Sequence, residues 1–255
     1  MPERSGRAAR IPGGPARILL ATAVVCTALA AVPPGAGAQG PEIPVTGSER
    51  ALWFETTKER QKGIEALRAS VLQRKRHPSL KGELVTEGTL LFRKPALLRW
   101  DVVRPEAMVV VMDDRTLTTY HPSRKEAERK FLTDSLVTRA AAEFLTIGMT
   151  LSLPELERRF HVELLRGEGY HVLKLSPRGK WLSRAVSSIS IYHAEEEGTP
   201  RRIVVQGAGG GWTETRVTRV VTNPVLPPDA FDLRLGPDVN VIVEGGVGKV
   251  REDAP

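Results

Sequence analysis

Gly88-Thr-Leu-Leu-Phe-Arg-Lys-Pro-Ala-Leu-Leu-Arg-Trp-Asp-Val-Val103 is the stretch on which the fold turns. Leu90 and Phe92 stand two residues apart, and so do Leu98, Trp100 and Val102, with Arg93, Arg99 and Asp101 at intervening positions. A period of two is that of a strand with one face buried. Lys94-Pro95 ends the first run, since proline has no N–H to offer a sheet ladder. Two adjacent strands result, with their large apolar side chains on one shared face.

Working outward, Arg104-Pro105-Glu106 turns into the apolar run Met108–Met112, whose Met108, Val110 and Met112 extend that face. Asp113-Asp114-Arg115 makes a tight hairpin into Leu117–Tyr120, and His121-Pro122-Ser123 leads to Ala127–Leu132. Upstream, Leu67, Ala69, Val71 and Gln73 alternate with Arg68, Ser70, Leu72 and Arg74. Short strands at this spacing predict an antiparallel meander. Beyond Leu132 the period changes. Leu136, Val137, Ala140, Ala141, Phe144 and Leu145 recur at helical spacing over Asp134–Thr146, and Ser152-Leu-Pro-Glu155 opens a second helix ending near Arg159. A further helix is expected from Ser48 to Gly63, with acids early and bases late. Strands resume at Phe160–Leu165, Tyr170–Ser176, Ala185–His193, Arg201–Gln206 and Trp212–Thr222. The fold class read from this pattern is mainly β with helices: an unclosed, strongly curved antiparallel half-barrel under a helical lid.

The ends carry different information. Arg4, Arg7, Arg10 and Arg17 precede an apolar run from Ile18 to Val32, and Ala36-Gly37-Ala38 follows Pro33-Pro34-Gly35. This is the pattern of a secretory signal cleaved before Gln39. The run is shorter than the ~20 residues of a membrane-spanning helix. Export to the periplasm is therefore expected, with 1–38 as signal, 39–47 as a flexible leader, 48–243 as one domain and 244–255 as a flexible tail. Cys26, the single cysteine, lies within the signal, so the mature chain is expected to hold no disulfide. Setting aside the four signal arginines and Glu3 leaves 33 basic against 29 acidic residues. These are interspersed and form no stripe of the kind nucleic acid requires.

No catalytic constellation stands out. His77, His121, His161, His171 and His193 fall in separate strands and turns, and none pairs at metal-ligand helical spacing. His161-Val-Glu163 and His193-Ala-Glu195 read as strand-surface residues. No Gly-x-Ser-x-Gly elbow is present, and Gly207–Gly211 lacks the Lys-Ser/Thr of a phosphate loop and leads into a strand. The expectation is a binding protein that is not an enzyme, with no metal and no cofactor. Its candidate lipid-binding residues are Leu90, Phe92, Leu98, Trp100, Val110 and Met112. An acyl chain gains about 0.8 kcal/mol per buried methylene, so a modest apolar cavity suffices.

Gly88-Thr-Leu-Leu-Phe-Arg-Lys-Pro95, Leu98-Arg-Trp100, Pro105 and Tyr120-His-Pro122 occur in an order that resembles the periplasmic outer-membrane lipoprotein carrier family, LolA. Leu67-x-Ala69-x-Val71-x-Gln73 looks like the family's first strand. Asn223 to Val241, with Pro227-Pro-Asp-Ala-Phe231 and Gly236-Pro-Asp-Val239, looks like its closing segment. The resemblance spans most of residues 49–243. It implies an unclosed barrel whose interior shields the acyl chains of outer-membrane lipoproteins. Cargo would come from an inner-membrane ABC-type release complex and pass to an outer-membrane receptor, with the carrier a monomer. It also implies a lid latch at the basic residue before the strand-ending proline. That residue is usually arginine and is Lys94 here, with Arg93 beside it. Lysine lacks the planar fork of arginine, so a weaker latch, or one shared with Arg93, is expected. The same half-barrel would also suit a carrier of free lipid or glycolipid, or a lipoprotein-sensing regulator of envelope stress.

Overall fold

The computed structural model describes residues 41–78, 81–132 and 153–244. In chain order these form β1 (Ile43–Val45), α1 (Gly47–Lys62), β2 (Ala66–Arg76), β3 (Glu83–Arg93), β4 (Leu97–Arg104), β5 (Met108–Met112) and β6 (Thr116–His121). A 3-10 turn (Pro122–Arg124) leads to β7 (Glu126–Phe131). Then come α2 (Leu153–Arg159), β8 (Phe160–Gly167), β9 (Tyr170–Pro177), α3 (Lys180–Ser183), β10 (Val186–Ala194), β11 (Pro200–Gly207), β12 (Trp212–Thr222) and β13 (Asn240–Glu244).

All these strands belong to one 13-stranded sheet in the order β1-β8-β9-β10-β11-β12-β2-β3-β4-β5-β6-β7-β13. Two antiparallel meanders, β2 to β7 and β8 to β12, are joined by the antiparallel pairing of β12 with β2. The sheet is large, curved and unclosed, as the sequence pattern predicts. Gly88 is required where β3 meets β4: a Cβ there would lie 2.2 Å from the Asp101 carbonyl oxygen. The pairing register shifts at that same point.

Three details differ from the sequence reading. Residues 43–45, expected within a flexible leader, form β1 against β8, and Val45 is buried. Three residues around Pro44 carry no strand signal of their own, so the neighbouring edge recruits them. The closing segment ends in β13, which pairs parallel with β7 and runs to Glu244, so the sheet is antiparallel except at this edge. The short helix α3 has no periodic signature at all. The predicted helix over 134–146, the main part of the expected lid, lies outside the described residues.

The end of β12 is tied to the start of β2 by Asn223, held at φ +48°. Its Oδ1 accepts from the Glu65 and Ala66 N–H groups at 2.8 and 3.2 Å, and its Nδ2 donates to the Gly63 carbonyl at 2.7 Å. Asn223→Ala is expected to lower stability by about 2 kcal/mol, from lost hydrogen bonds and the left-handed backbone that asparagine tolerates. Urea denaturation reads this directly, and an unchanged midpoint would show that the tie contributes nothing.

Candidate functional site

Pairing register decides which side chains share a face, because directly opposed residues point the same way. One row runs Leu67, Phe92, Leu98, Met112, Leu117 across β2 to β6, and the next runs Ala69, Leu90, Trp100, Val110, Thr119. All six candidate residues therefore lie on one face, and all six are buried. Leu90, Leu98, Trp100, Val110 and Met112 pack together with Val71, Val102 and Leu117, bordered by Met108 and Leu132. Phe92 belongs to a neighbouring group with Leu67, Ala69 and Val217, at the junction with β12. Among the described residues the buried indole N–H of Trp100 has no acceptor.

The same face continues past β12 onto β11, β10, β9 and β8, where a second cluster forms. Phe160, Leu173, Leu175, Val186, Ile189 and Ile191 pack there against Phe54 of α1 and Leu156 of α2. α1 thus covers this half of the sheet. It is fastened at its far end, where Arg60 donates to the Glu195 carbonyl at 2.6 Å and Gln61 to the Gly198 carbonyl at 2.7 Å. Arg50 pairs with Glu157 of α2 at 2.7 Å.

His193 stands on this inner face, 1 % exposed, and its cross-strand neighbour is His171. Trp53 of α1 packs on both rings, with centroids 5.5 Å from His193 and 5.7 Å from His171. Neither ring nitrogen of His193 has a hydrogen-bond partner among the described residues. Burial, and secondarily the neighbouring His171, pushes the His193 imidazole down to about 4 against a slight opposing pull from Glu197. Burial likewise lowers His171. Sequence reading placed His193 on the strand surface, and this is corrected. The alternation Ile189, Ile191, His193 already put it on the apolar side, but the polar neighbour Glu195 obscured that signal. Among the described residues no group of three or more His, Cys, Asp or Glu is placed to hold a metal ion.

The two expected latch residues diverge. Lys94 donates from Nζ to the Gln61 carbonyl at 3.1 Å and lies 3.7 Å from Glu65, so it fastens the end of α1. Arg93 points to the opposite, outer face, its guanidinium 5.0 Å from the Phe231 ring centroid. Beside it Arg99, held by Asp101 at 2.9 Å, donates to the Asp232 carbonyl at 3.1 Å. Together these arginines pin the closing segment to the outside of β3 and β4. Of the two helices expected to form the lid, the first, over 134–146, lies outside the described residues, and the second is α2, whose Leu156 packs into the cluster under α1. Elsewhere on the outer face, buried Glu214 bridges Arg202 and Arg216 at 2.5 and 3.1 Å.

Compared with known proteins, the chain matches the family model "Outer membrane lipoprotein carrier protein LolA" over residues 62–234. The chain belongs to the LolA family. The match takes in β2 through β12 and the closing segment to Arg234, hence the sheet residues of all three apolar clusters. Among LolA relatives, the outer-membrane lipoprotein carrier protein of Bordetella avium (strain 197N) is 24 % identical over 166 residues, covering 65 % of this chain and 75 % of its own. Similar solved structures include a LolA superfamily protein from Nitrosomonas europaea. It has a TM-score of 0.39 and 16 % identity, over 70 % of this chain and 96 % of that one. An uncharacterised conserved protein from Thermus thermophilus has a TM-score of 0.46 and 14 % identity, over 76 % and 99 %. LolA proteins are carriers and binding proteins.

Proposed function

We propose that the chain is a periplasmic carrier that holds the acyl chains of lipoproteins on the face carrying Leu90, Phe92, Leu98, Trp100, Val110 and Met112. It shuttles them from the inner to the outer membrane. The observation that carries this reading is the apolar cluster on one face of β2 to β6, in an unclosed sheet within a LolA-family chain. Methionines at Met108 and Met112 suit it, since flexible thioethers adapt to chains of varied shape. The unpaired Trp100 N–H offers a donor to an acyl ester carbonyl. The Arg-rich start and apolar run to Val32 support export, and among the described residues no helix is long and apolar enough to cross a membrane. The carrier needs no covalent chemistry, metal or cofactor, because transfer follows relative affinities along the route. Loading from an inner-membrane ABC-type complex and delivery to an outer-membrane receptor complete the cycle.

The test is release. Purified protein from Gln39 onward, added to spheroplasts of the parent bacterium, is expected to bring lipoproteins into the supernatant as a one-to-one complex. An active preparation with no such complex ends the lipoprotein reading. Solvent extraction of the protein followed by mass spectrometry would then identify a free lipid if that is the cargo.

A further inference from the structure

α3 occupies the connection between β9 and β10, at the end of the sheet opposite the α1 C-terminus. Its placement is firm. Arg178 Nε donates to the Phe160 carbonyl at 2.9 Å, and the Arg178 N–H to the Arg159 carbonyl at the same distance. The Ala185 N–H donates to the Leu182 carbonyl at 3.0 Å, and the Ala208 N–H of the adjacent glycine hairpin to the Ala185 carbonyl at 3.1 Å. Leu182 packs inward against the cluster under α1. Trp181 points the other way and is 43 % exposed.

The side chains around the exposed Trp181 ring indicate what meets it. Lys180 and Arg184, four residues apart, flank it on the same side of the helical turn and are exposed. Among the described residues no carboxylate pairs with either. Indole rings partition to the boundary between headgroups and acyl chains. Each lysine or arginine near an anionic surface strengthens attachment about fivefold. A protein partner would satisfy the ring or the charges by specific pairing, whereas one indole flanked by cations that no described carboxylate pairs complements a fluid anionic surface. We infer that the α3 tip, with Trp181 inserted and Lys180 and Arg184 over the headgroups, docks this protein onto anionic phospholipid bilayers.

This docking stands apart from acyl carriage, since it uses the tip of the sheet and not its apolar face. The experiment compares protein from Gln39 onward, the form used in the release test, with its Trp181→Phe and Lys180→Glu/Arg184→Glu variants on phosphatidylcholine vesicles with and without phosphatidylglycerol, the lipids carrying brominated acyl chains. Bromine quenches an indole only on contact, and Trp53, Trp100 and Trp212 are less exposed than Trp181. Quenching on phosphatidylglycerol vesicles is expected to fall by more than half in Trp181→Phe. Charge reversal is expected to weaken binding at least tenfold, and salt should weaken the parent protein similarly. Equal quenching in Trp181→Phe, equal binding by the charge-reversed variant, or equal binding to neutral vesicles would each overturn the inference. The replaced side chains are exposed, and circular dichroism verifies the fold. Docking without lipoprotein release would sink the carrier reading and leave this one standing, and the reverse result would do the opposite.

Discussion

Phe92→Glu is expected to leave the domain unfolded at neutral pH, and Phe92→Ala to leave it folded but weakened by about 3–5 kcal/mol. Phe92 is 1 % exposed and packs on Leu67, Ala69 and Val217, where β3, β2 and β12 meet. Among the described residues that junction is the only place where the two meanders pair strand to strand, through β12 and β2. Removing the ring opens a cavity at the seam, and a carboxylate there has no cation on its own face among its cluster neighbours. Burying an unpaired charge costs more than a domain's typical net stability of about 5–15 kcal/mol can readily absorb. Urea denaturation of Phe92→Ala checks the first magnitude, and circular dichroism of Phe92→Glu the second. A glutamate variant that folds with the parent's midpoint would mean that the ring does not hold the seam. Because Phe92→Glu reports on folding, acyl binding is better read on Phe92→Ala with a fluorescent fatty acid, whose affinity is expected to fall severalfold.

Acidification is expected to remove about 3 kcal/mol of stability through His193. The imidazole titrates near 6.5 when exposed in the unfolded chain and is lowered to about 4 when folded. Its contribution is complete above pH 6.5. Below that value the unfolded chain binds a proton that the folded one refuses, so stability falls as pH drops and levels off below about 4. Each pH unit across that window is worth about 1.4 kcal/mol. His171, lowered in the same direction, adds to the slope. Urea midpoints measured across pH 7 to 4 give the curve, and His193→Leu is expected to flatten most of it while keeping the stability at neutral pH. If His193→Leu retains the full slope, other groups carry the acid sensitivity. The loss is expected to free α1 first, because Trp53 seats on both rings.

Much of the apolar face was legible in the sequence because its signal is local. Leu90, Phe92, Leu98, Trp100, Val110 and Met112 share a face because strands alternate, and the turns at Pro95, Pro105 and Asp113 hold neighbouring strands in register. Sequence alternation placed His193 on the same side as Ile191, but its burial required α1 to arrive with Trp53. The latch expectation came from the family resemblance. Alternation sends Arg93 outward to Phe231, while Lys94, in the turn, reaches Gln61 and Glu65.

By itself, the sequence determined the strands of the two meanders, their hairpin order and the apolar face. Each follows from side-chain alternation and turn chemistry over a few residues. Only the tertiary structure decided that β12 closes back on β2, that α1 covers the β8–β11 half, and that β1 and β13 complete the two edges. Those contacts join segments far apart in the chain. Their gain comes from burying two surfaces against each other, and no local period records which distant surface will be the partner.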